Sequence, residues 1–538
     1  MSSPQEEARD CPLRILLIHD DSLPDEFVDA LHRASLRSDA TDLVGIAQIT
    51  GLHSAATKKT FQGRLIGRIL RLELAGLRAV KKTVRGSKHT TETLNQNLPI
   101  RTIPASTLAS FLRTLSVDLI LASSSSRTLV SELAPDLPLL SISLGREGSP
   151  QSTIGFAEAA QKSAFSTYLL EFTGVSRSDA EWFIHGSLPT HPVFSVNRAR
   201  LLAKVAGVVV QLARSAVGGR MPTAAQAGIE NTSTRVSPGT SSVLLYFVNV
   251  FSYVIKALAR RFLNSRVLWS IAFAPSAHGT GPTGMFTMVP NPEGRFLADP
   301  WPIRRQSRSI IFAEDYSFSA KRAGISAVEI LDGESRFLGP VIQEGFHMSF
   351  PYVFEVDDTL YMCPETSANR DIRLYRCVEF PMLWEHHKTL MTSVSAADTV
   401  IFPAEGSWWM LTNLDSGDIS DHNSELYLFK ADTFDSQQWV PHPANPICLD
   451  AVRARNGGFI RDGQEMIRVH QVHGFNVYGQ TFGFAHITSL SADEYREQSM
   501  TPPAIMRGAK DIGLHTYTSS TDLVTIDIAR RSTSRPKP

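Results

Sequence analysis

The sequence predicts two folded regions, a Rossmann-like α/β domain over residues 12–215 and an all-β propeller of five blades over residues 265–530. Three observations lead to this prediction. Strand-like and helix-like segments alternate in the first region, short strands rich in Phe, Tyr, Val and Trp follow after residue 265, and a polar residue recurs near the start of strong strands there. A length of 538 residues with 43% hydrophobic residues suits a soluble globular protein of two to four domains.

The α/β prediction depends on the order of segments between residues 12 and 215. "LRILLIHD", "DLVGIAQITG", "VDLILASSS" and "LPLLSISLG" are short apolar runs typical of buried strands. "PDEFVDALHRAS" and "ASTLASFLRTLS" have the apolar spacing of helices. Strands that alternate with helices predict a parallel sheet with crossover helices.

Residues 216–264 are predicted to be a linker that contains one apolar helix. Residues 216–242 are rich in Gly, Ser, Thr and Pro without periodicity. The next run, "SSVLLYFVNVFSYVIKALARRFL" at residues 241–263, approaches the length of a membrane span but contains Asn249 and Lys256. Three interpretations stay open: a helix packed between domains, a helix lying in a membrane interface, and a true span. Peripheral membrane contact through residues 241–263 is therefore one expected partner interaction.

Charge and cysteine content argue against several classes of protein. Lys and Arg together number 53, as do Asp and Glu, so the net charge is zero and no nucleic-acid partner is expected. Cysteines stand at positions 11, 363, 377 and 448 without a CxxC pair, which predicts free thiols in a reducing compartment. No His/Cys spacing indicates zinc, and no metal ligand or cofactor is assigned, so metal use stays open at this point.

The location is expected to be cytoplasmic, with a peripheral position at the inner membrane as a variant. The N-terminus "MSSPQEEARDCPLRILLIHDD" carries acids where a signal peptide needs a basic flank, and its apolar run "ILLI" is too short for a signal core.

The propeller prediction depends on turn signals and on a loose repeat after residue 265. Turn pairs such as "DG" and "EG" separate the strands. A polar residue stands near the start of five strong strands, with spacings of 48, 51, 57 and 60 residues, at Asp299, His347, Asp398, Arg455 and His515. One propeller blade takes roughly 40 to 50 residues plus loops. Five blades are therefore predicted, with "VLWSIAFA" and "LVTIDIAR" from the two ends of the region closing the ring.

The recurring polar residues predict a site at one mouth of the central channel. The innermost strand of each blade runs along that channel, so residues near its start meet there. Asp299 and Glu365 are the predicted acid and base pair, and Asp398 is predicted to tune or orient them. Six further residues are predicted to bind the substrate: His347, Ser349, Arg455, Arg468, Gln471 and His515. The alternative for each residue alone is that it caps a strand or bonds a neighbouring backbone group.

Six aromatic residues are predicted mainly to fill the spaces between blades, with a minority available to stack on sugar rings. They are Trp301, Phe350, Tyr352, Tyr361, Trp408 and Trp409.

Four stretches of the second region carry a resemblance to a known domain. "HMSFPYVFEVDDTLYMCPETSANRDIRLYRCVEFPMLWE", "AADTVIFPAEGSWWMLTN", "SELYLFKADTFDSQQWVPHPANPI" and "GLHTYT" resemble the β-propeller domain at the N-terminus of plant glucosamine inositolphosphorylceramide glycosyltransferases. They also resemble bacterial proteins in which this domain follows a formyltransferase-like one. The propeller is similar in architecture to the five-bladed glycosidases of families 43 and 32, the arabinanase, levansucrase and invertase type. That similarity implies carbohydrate chemistry, with Asp299 at a base position.

The resemblance is incomplete in both regions. Arg468 and Gln471 match the propeller family, but Val472 stands where the family has an acid. The first region resembles formyltransferases, whose chemistry uses an Asn-x-His strand end. Ser141 and Ser143 occupy those two positions. A serine cannot act as a base that titrates near neutral pH, so no formyl transfer is expected.

The sequence thus predicts a carbohydrate-active protein, with the propeller as the catalytic unit in the making or trimming of a bacterial surface polysaccharide or glycolipid. The expected partner is a glycan or a nucleotide-linked or lipid-linked sugar. The principal alternative is a glycan-binding or scaffold protein without catalysis. A glycoside hydrolase of sugar degradation and a sugar N-formyltransferase are the remaining alternatives.

Overall fold

The computed structural model describes most of the chain in two compact units. The described residues are 12–20, 22–38, 41–50, 61–84, 99–144, 151–174, 181–218, 221–227, 240–262, 266–277, 281–463, 465–505 and 508–532. The first unit comprises Met1–Tyr253 with Ser416–Ile419, and the second comprises Val254–Asp415 with Ser420–Pro538. The predicted division into domain, linker and domain therefore differs from the structure, because the first half of the apolar helix belongs to the first unit.

The first unit is built on one sheet with the strand order β3-β2-β1-β4-β5-β6-β7-β8. The strands are β1 (Leu13–His19), β2 (Thr41–Thr50), β3 (Ile100–Pro104), β4 (Leu119–Ser123), β5 (Leu139–Ser143), β6 (Phe165–Thr173), β7 (Trp182–Pro189) and β8 (Gln226–Ala227). Strands β1 to β5 pair in parallel, as predicted for β1, β2, β4 and β5, whereas β3 was not predicted. Strands β6, β7 and β8 add antiparallel neighbours, which the sequence analysis did not predict.

Helices cover the first unit and connect its parallel strands. They are α1 (Asp25–Leu36), α2 (Phe61–Val84), α3 (Leu108–Arg113), α4 (Arg127–Leu133), α5 (Phe156–Gln161), α6 (Phe194–Val217) and α7 (Thr240–Phe262), with short 3-10 turns at Ala105–Thr107, Ser124–Ser126 and Gln151–Thr153. Helices α1 and α3 were predicted, because their apolar residues have helical spacing. Part of α7 packs in a core cluster with α2, α5 and α6, so it is an integral element of this unit.

The second unit is a propeller of five blades. Blade 1 is β11 (Arg295–Arg305), β12 (Arg308–Ser317), β13 (Arg322–Leu331) and β14 (Glu334–Ile342); blade 2 is β15 (Ser349–Val356), β16 (Thr359–Glu365), β17 (Asp371–Glu379) and β18 (Leu383–Thr392). Blade 3 is β19 (Ala396–Ala404), β20 (Ser407–Leu414), β21 (Tyr427–Ala431) and β22 (Val440–Pro441); blade 4 is β23 (Asn456–Asp462), β24 (Glu465–Gly474), β25 (Val477–Leu490) and β26 (Tyr495–Met500). A 3-10 turn at Ser367–Asn369 lies in blade 2.

Blade 5 joins the two ends of the propeller region and closes the ring. It combines β9 (Arg266–Pro275) and β10 (Thr287–Met288) with β27 (Asp511–Gly513), β28 (Tyr517–Ser519) and β29 (Leu523–Ser532). Strand β29 pairs antiparallel with β9 from Leu523 opposite Pro275 to Ser532 opposite Arg266. The prediction that "VLWSIAFA" and "LVTIDIAR" close the ring is confirmed.

The spaces between blades are filled by buried aromatic and aliphatic side chains, as predicted for most of the six aromatics. Trp301, Phe350, Tyr352 and Trp409 are buried, whereas Tyr361 and Trp408 are partly exposed. The Trp301 indole N–H finds a backbone partner in the next blade, where it donates to the carbonyl of Val353.

The thiols at 363, 377 and 448 are free, as predicted, and the cysteine at position 11 lies outside the described residues.

Candidate functional site

A repeated irregularity at the start of the innermost strands shapes the candidate site. In β11, β15 and β19 the ladder register shifts, and one residue in each has a positive φ: Asp299 (49°), Phe350 (44°) and Asp398 (48°). A bulge of this kind bends a strand and re-aims its side chain, and aspartate tolerates the left-handed region better than most residues. Asp299 and Asp398 therefore lie at bulges. In blade 2 the residue at the corresponding bulge is Phe350, and not His347, which the sequence repeat predicted.

The first half of the site is an imidazole between two carboxylates. His515 Nε2 lies 3.2 Å from Asp299 Oδ1, and His515 Nδ1 lies 2.6 Å from Asp527 Oδ2. The backbone N–H of Phe350 donates to the other Asp299 oxygen at 3.2 Å. Burial lowers the pKa of His515, but the charges of Asp527 and Asp299 outweigh it and raise the pKa to about 10. His515 is therefore an imidazolium that fixes the orientation of Asp299.

The second half of the site is organised by Arg455, which contacts two carboxylates. Its Nε lies 2.6 Å from Asp398 Oδ2, and its Nη2 lies 3.2 Å from Asp398 Oδ1 and 3.3 Å from Glu365 Oε2. The Gln471 amide donates to Asp398 Oδ2 at 3.0 Å and to the carbonyl of Asn456 at 2.7 Å. A guanidinium that is shared by two carboxylates fixes the positions of both side chains.

The pKa values of Asp398 and Glu365 differ, although both carboxyls contact the Arg455 guanidinium. Burial raises the pKa of Asp398 to about 8, against the charge of Arg455, and the neighbouring Glu365 adds to the rise. Burial also acts on Glu365, but the charges of Arg455 and His422 hold the pKa of Glu365 below its ordinary value. The two neighbouring carboxyls therefore have pKa values shifted in opposite directions.

Glu314 is a further carboxyl of the site that the sequence analysis missed. It lies on β12, opposite Ala298 and next to the bulge at Asp299, and its Oε1 is 3.5 Å from His347 Nε2. Burial, followed by the charges of Asp299 and Glu365, holds the pKa of Glu314 well above its ordinary value, although His515 acts in the opposite direction. This shift favours the protonated form of the Glu314 carboxyl, which lies beside the bulge.

Asp527 was also missed, although the sequence carries a signal for it. It is the single acid in the apolar run "LVTIDIAR" of β29, and it is fully buried. An acid in the middle of a buried strand needs a partner, which here is His515. Glu314 has a similar signal in "IIFAEDYS". Both acids lie on second strands, where a search confined to strand starts does not find them.

Tyr478 is a partly exposed aromatic ring beside the cluster. The Arg455 guanidinium carbon lies 5.8 Å from its ring centroid, and the His515 ring lies 5.2 Å away in a T-shaped arrangement. The ring is 46% exposed, so one part packs on the charged cluster and the rest faces solvent. An exposed aromatic face next to carboxyls is a suitable platform for a sugar ring.

The structure brings together most of the predicted site residues. Asp299 contacts His515 directly. Arg455 contacts Glu365 and Asp398, and Gln471 contacts Asp398. The remaining two predicted residues that lie near the cluster are His347, which reaches Glu314 and is 40% exposed, and Ser349, which is paired with Glu365 in the ladder.

Arg468 does not join the cluster, which corrects the prediction that it binds the substrate. Its guanidinium is fully buried, ion-paired with Glu497 at 2.6 Å, and it donates to the carbonyl of Arg453 at 2.9 Å. Residues 468 and 471 differ by an odd number, so on strand β24 their side chains point to opposite faces. Gln471 faces Asp398, and Arg468 faces the interior of blade 4.

Among the described residues, Asp299, His515 and Asp527 place possible metal ligand atoms within 4.8 Å of one another. The same three residues can also be explained without a metal ion. The raised pKa of His515 indicates an imidazolium that lies between two carboxylates. A metal ion would have to displace that proton, because ligating histidine is neutral.

The propeller is similar in sequence to a named domain. Residues 286–511 match the family described as glucosamine inositolphosphorylceramide transferase 1, N-terminal. Glucosamine inositolphosphorylceramide transferase 1 of Arabidopsis thaliana is 33% identical over 208 residues, which are 38% of this chain and 27% of the relative. The protein of the same name from Oryza sativa subsp. japonica is 29% identical over 208 residues, with the same shares covered. The chain thus spans about a quarter of the length of these curated relatives.

Two matches to solved structures have low TM-scores. The catalytic domain of the GH62 alpha-L-arabinofuranosidase from Coprinopsis cinerea gives a TM-score of 0.35 at 14% identity, covering 50% of this chain and 99% of that domain. An exo-1,5-alpha-L-arabinanase from a bovine ruminal metagenomic library gives 0.30 at 14% identity, covering 44% of this chain and 95% of that one. These identities are too low to carry residue roles across.

The predicted resemblance of the propeller is confirmed by the family match. The resemblance of residues 12–215 to formyltransferases, and the bacterial two-domain form, stay predictions.

Proposed function

We propose that the protein binds a sugar unit at the propeller cluster and acts on its glycosidic bond during the synthesis of a surface polysaccharide or glycolipid. One observation carries the proposal: five carboxyls, four of which have pKa values shifted in different directions, lie around Arg455 and His515 in a propeller similar to a glycolipid glycosyltransferase domain. The carboxyls are Asp299, Glu314, Glu365, Asp398 and Asp527. Groups whose environments push their pKa values apart are suited to acid and base roles.

In the proposed reaction, Glu314 donates its proton to the leaving oxygen as the bond from that oxygen to the anomeric carbon breaks. The attacking hydroxyl, from water or an acceptor alcohol, bonds to the anomeric carbon and gives its proton to Asp299 or Glu365. Asp398 tunes Glu365 through the shared guanidinium of Arg455. His347, Ser349, Gln471 and Tyr478 surround the sugar in this proposal.

The expected partner is a nucleotide-linked or lipid-linked sugar or a glycan. The name of the relatives, a glucosamine inositolphosphorylceramide transferase, supports an amino sugar and a phosphorylated glycolipid as the first pair to test. A cytoplasmic location belongs to the same proposal. Formylation by the first unit is disfavoured, because Ser141 is buried and donates to the carbonyl of Glu171 at 3.3 Å.

A second candidate function is glycan recognition without catalysis. It is favoured by the extent to which the carboxyls are already engaged: Asp398 is 2% exposed and bound by Arg455, and both Asp299 oxygens accept hydrogen bonds or ion pairs. The matched relatives also extend far beyond the region they share with this chain. In this case the cluster would be a rigid floor for a sugar that stacks on Tyr478.

Substitution of the carboxyls separates the two candidates. Glu314→Gln, Asp299→Asn and Glu365→Gln are compared with Glu355→Gln, which changes a half-exposed acid paired with Arg305 on the same strand as Ser349. Turnover is measured on nitrophenyl glycosides and on nucleotide-activated amino sugars with inositolphosphorylceramide as the acceptor, and binding is measured by calorimetry.

The enzyme proposal expects a loss of turnover of about 100-fold or more in Glu314→Gln with binding retained, and no loss in Glu355→Gln. Glycan binding without turnover in the unsubstituted chain, weakened by Tyr478→Ala, supports recognition alone. Turnover that survives all three cluster substitutions overturns the enzyme proposal, and the absence of both turnover and binding overturns both.

A further inference from the structure

Helix α7 exposes an apolar stripe, whereas a helix on the surface of a water-soluble domain normally buries its apolar face. The outward side chains include Leu244 at 70% exposure, Phe247 at 52%, Val248 at 56% and Phe251 at 69%. These positions follow the i, i+3, i+4, i+7 spacing of one helical face. A surface helix normally turns such a stripe toward the core, so this stripe is built to meet something other than water.

Hydrogen bonds on the opposite face hold α7 in this orientation. The Tyr246 hydroxyl donates to Glu73 of α2 and accepts from the Phe194 backbone N–H at 2.9 Å. The Asn249 amide donates to the carbonyl of Ala160 at 2.7 Å. The Tyr246 ring packs 5.1 Å from that of Phe156. Because its polar side chains are bonded to the first unit, α7 cannot rotate the apolar stripe inward without breaking these bonds.

Helix α2 lies beside α7 and supplies positive charge. Ile66, Ile69 and Leu70 of α2 share a core cluster with Val243 and Tyr246 of α7. Arg64, Arg68 and Arg71 are exposed, at the i, i+4, i+7 spacing of a single stripe. The one acid of α2, Glu73, is bonded to Tyr246, and α7 contains no Asp or Glu. In a chain of zero net charge, this face is locally basic and apolar.

We infer that the α2–α7 face, defined by Leu244, Phe247, Val248, Phe251 and the arginines at 64, 68 and 71, binds the surface of an anionic lipid bilayer. The apolar side chains enter the boundary between headgroups and acyl chains, and the guanidinium groups meet lipid phosphates. Basic charge beside a broad apolar stripe fits an anionic membrane better than it fits a second copy, because two copies would bring like charges together.

The hydrogen bonds of Tyr246 and Asn249 favour a helix α7 that lies on the membrane over one that crosses it. By length and composition, Ser242–Ala259 is the one described helix segment apolar enough to span, with a mean hydropathy of 1.7. A span would expose Tyr246 and Asn249 to acyl chains and break their hydrogen bonds to the first unit. This inference is independent of the sugar chemistry proposed for the propeller.

Vesicle flotation of the full chain tests the inference. Phosphatidylcholine vesicles are compared with vesicles in which about 30 mol% of the lipid is the anionic phosphatidylglycerol. The unsubstituted chain is expected to float with the anionic vesicles and to lose binding as salt is raised. The double variant Leu244→Asp/Phe251→Asp and the triple variant Arg64→Gln/Arg68→Gln/Arg71→Gln are each expected to bind about 100-fold less.

Met285→Asp is the matched control, because Met285 is 79% exposed and lies outside this face. It is expected to float like the unsubstituted chain, and thermal melts establish that all variants fold. Absence of flotation, or equal flotation with both vesicle types, overturns the inference. Loss of a dimer in light scattering for Leu244→Asp/Phe251→Asp, without any change in flotation, assigns the face to a second copy. Extraction only by detergent and not by carbonate assigns it to a membrane span.

Discussion

At the residue scale, the arrangement of His515 between Asp299 and Asp527 determines how the site is charged. Both ring nitrogens face carboxylate oxygens, at 3.2 and 2.6 Å, and the imidazole is buried. Two buried carboxylates without a cation between them would repel each other and lose hydration. The proton on His515 therefore stabilises the fold and keeps Asp299 oriented in the cluster.

The raised pKa of His515 predicts how stability depends on pH. The folded-state pKa of about 10 lies above the ordinary 6.5, so the native state binds this proton more tightly than the unfolded chain. The stabilisation is complete below pH 6.5 and is lost as pH rises through 10. The free energy of unfolding should fall in that window with a slope of up to about 1.4 kcal/mol per pH unit from this group.

Denaturant unfolding between pH 6 and 10 measures this slope. His515→Gln is expected to be less stable at pH 6 and to lose less stability toward pH 10 than the unsubstituted chain. His386→Gln changes an exposed histidine of blade 2 and should keep the original profile. Parallel profiles for His515→Gln and the unsubstituted chain would show that His515 is not the group that titrates.

Recurrence along the chain made several of the site residues predictable. Asp299, Asp398, Arg455 and His515 each lie near the start of an innermost strand, so a repeat of about 50 residues was enough to find them. The repeat does not show which face of a second strand a residue occupies. For that reason Arg468 was misassigned and the acids at 314 and 527 were missed.

At the element scale, the hairpin between β24 and β25 joins blade 4 to the site. Its Gly479 carbonyl accepts from the backbone N–H of Leu514 at 2.9 Å, and its Gly479 N–H donates to His473 Nδ1 at 3.0 Å. These bonds place Tyr478 beside Arg455 and His515. None of the predicted turn signals marks this hairpin, and its docking on the next blade is a tertiary contact that a local pattern does not encode.

Two glycines with the same backbone angle, Gly479 in this hairpin and Gly463 in the turn between β23 and β24, allow the effects of backbone strain and of close packing to be measured separately. Gly479 and Gly463 both have a φ of +59°, but a Cβ at 479 would lie 2.6 Å from His515 Cβ and 3.0 Å from the Trp269 ring. A Cβ at 463 meets nothing within 4 Å. Gly463→Ala should cost about 1 kcal/mol of unfolding free energy, from the backbone angle alone.

Gly479→Ala should cost about 1–3 kcal/mol more, because the methyl group must displace His515 or Trp269. It should also weaken sugar binding, since Tyr478 moves with the hairpin, whereas Gly463→Ala should leave binding unchanged. Denaturant unfolding and calorimetry measure the two effects. Equal costs for the two substitutions would show that the hairpin is not held tightly against His515.

At the scale of the whole propeller, closure of the ring makes the blades mutually dependent. Buried clusters run across blades 1 to 4, between blades 4 and 5, and between blades 5 and 1. Blade 5 takes β9 and β29 from opposite ends of the region. The number of blades and the closing strands were predictable, because aromatic-rich strands and turns repeat with a regular period. The antiparallel β6 to β8 of the first unit were not, since no repeat or short turn marks them.

Ile526 tests whether the propeller unfolds as one cooperative body. It is fully buried on β29, opposite Ala272 of β9 and Tyr517 of β28. Ile526→Asp places an unpaired charge in the closing blade, and the expected loss is about 4 kcal/mol or more. Because each blade packs on its neighbours, hydrogen exchange should rise in blade 2 as well as in blade 5. Val440→Asp, at an exposed site on β22, should change neither. A rise confined to blade 5 would mean that the ring opens locally while the other four blades remain folded.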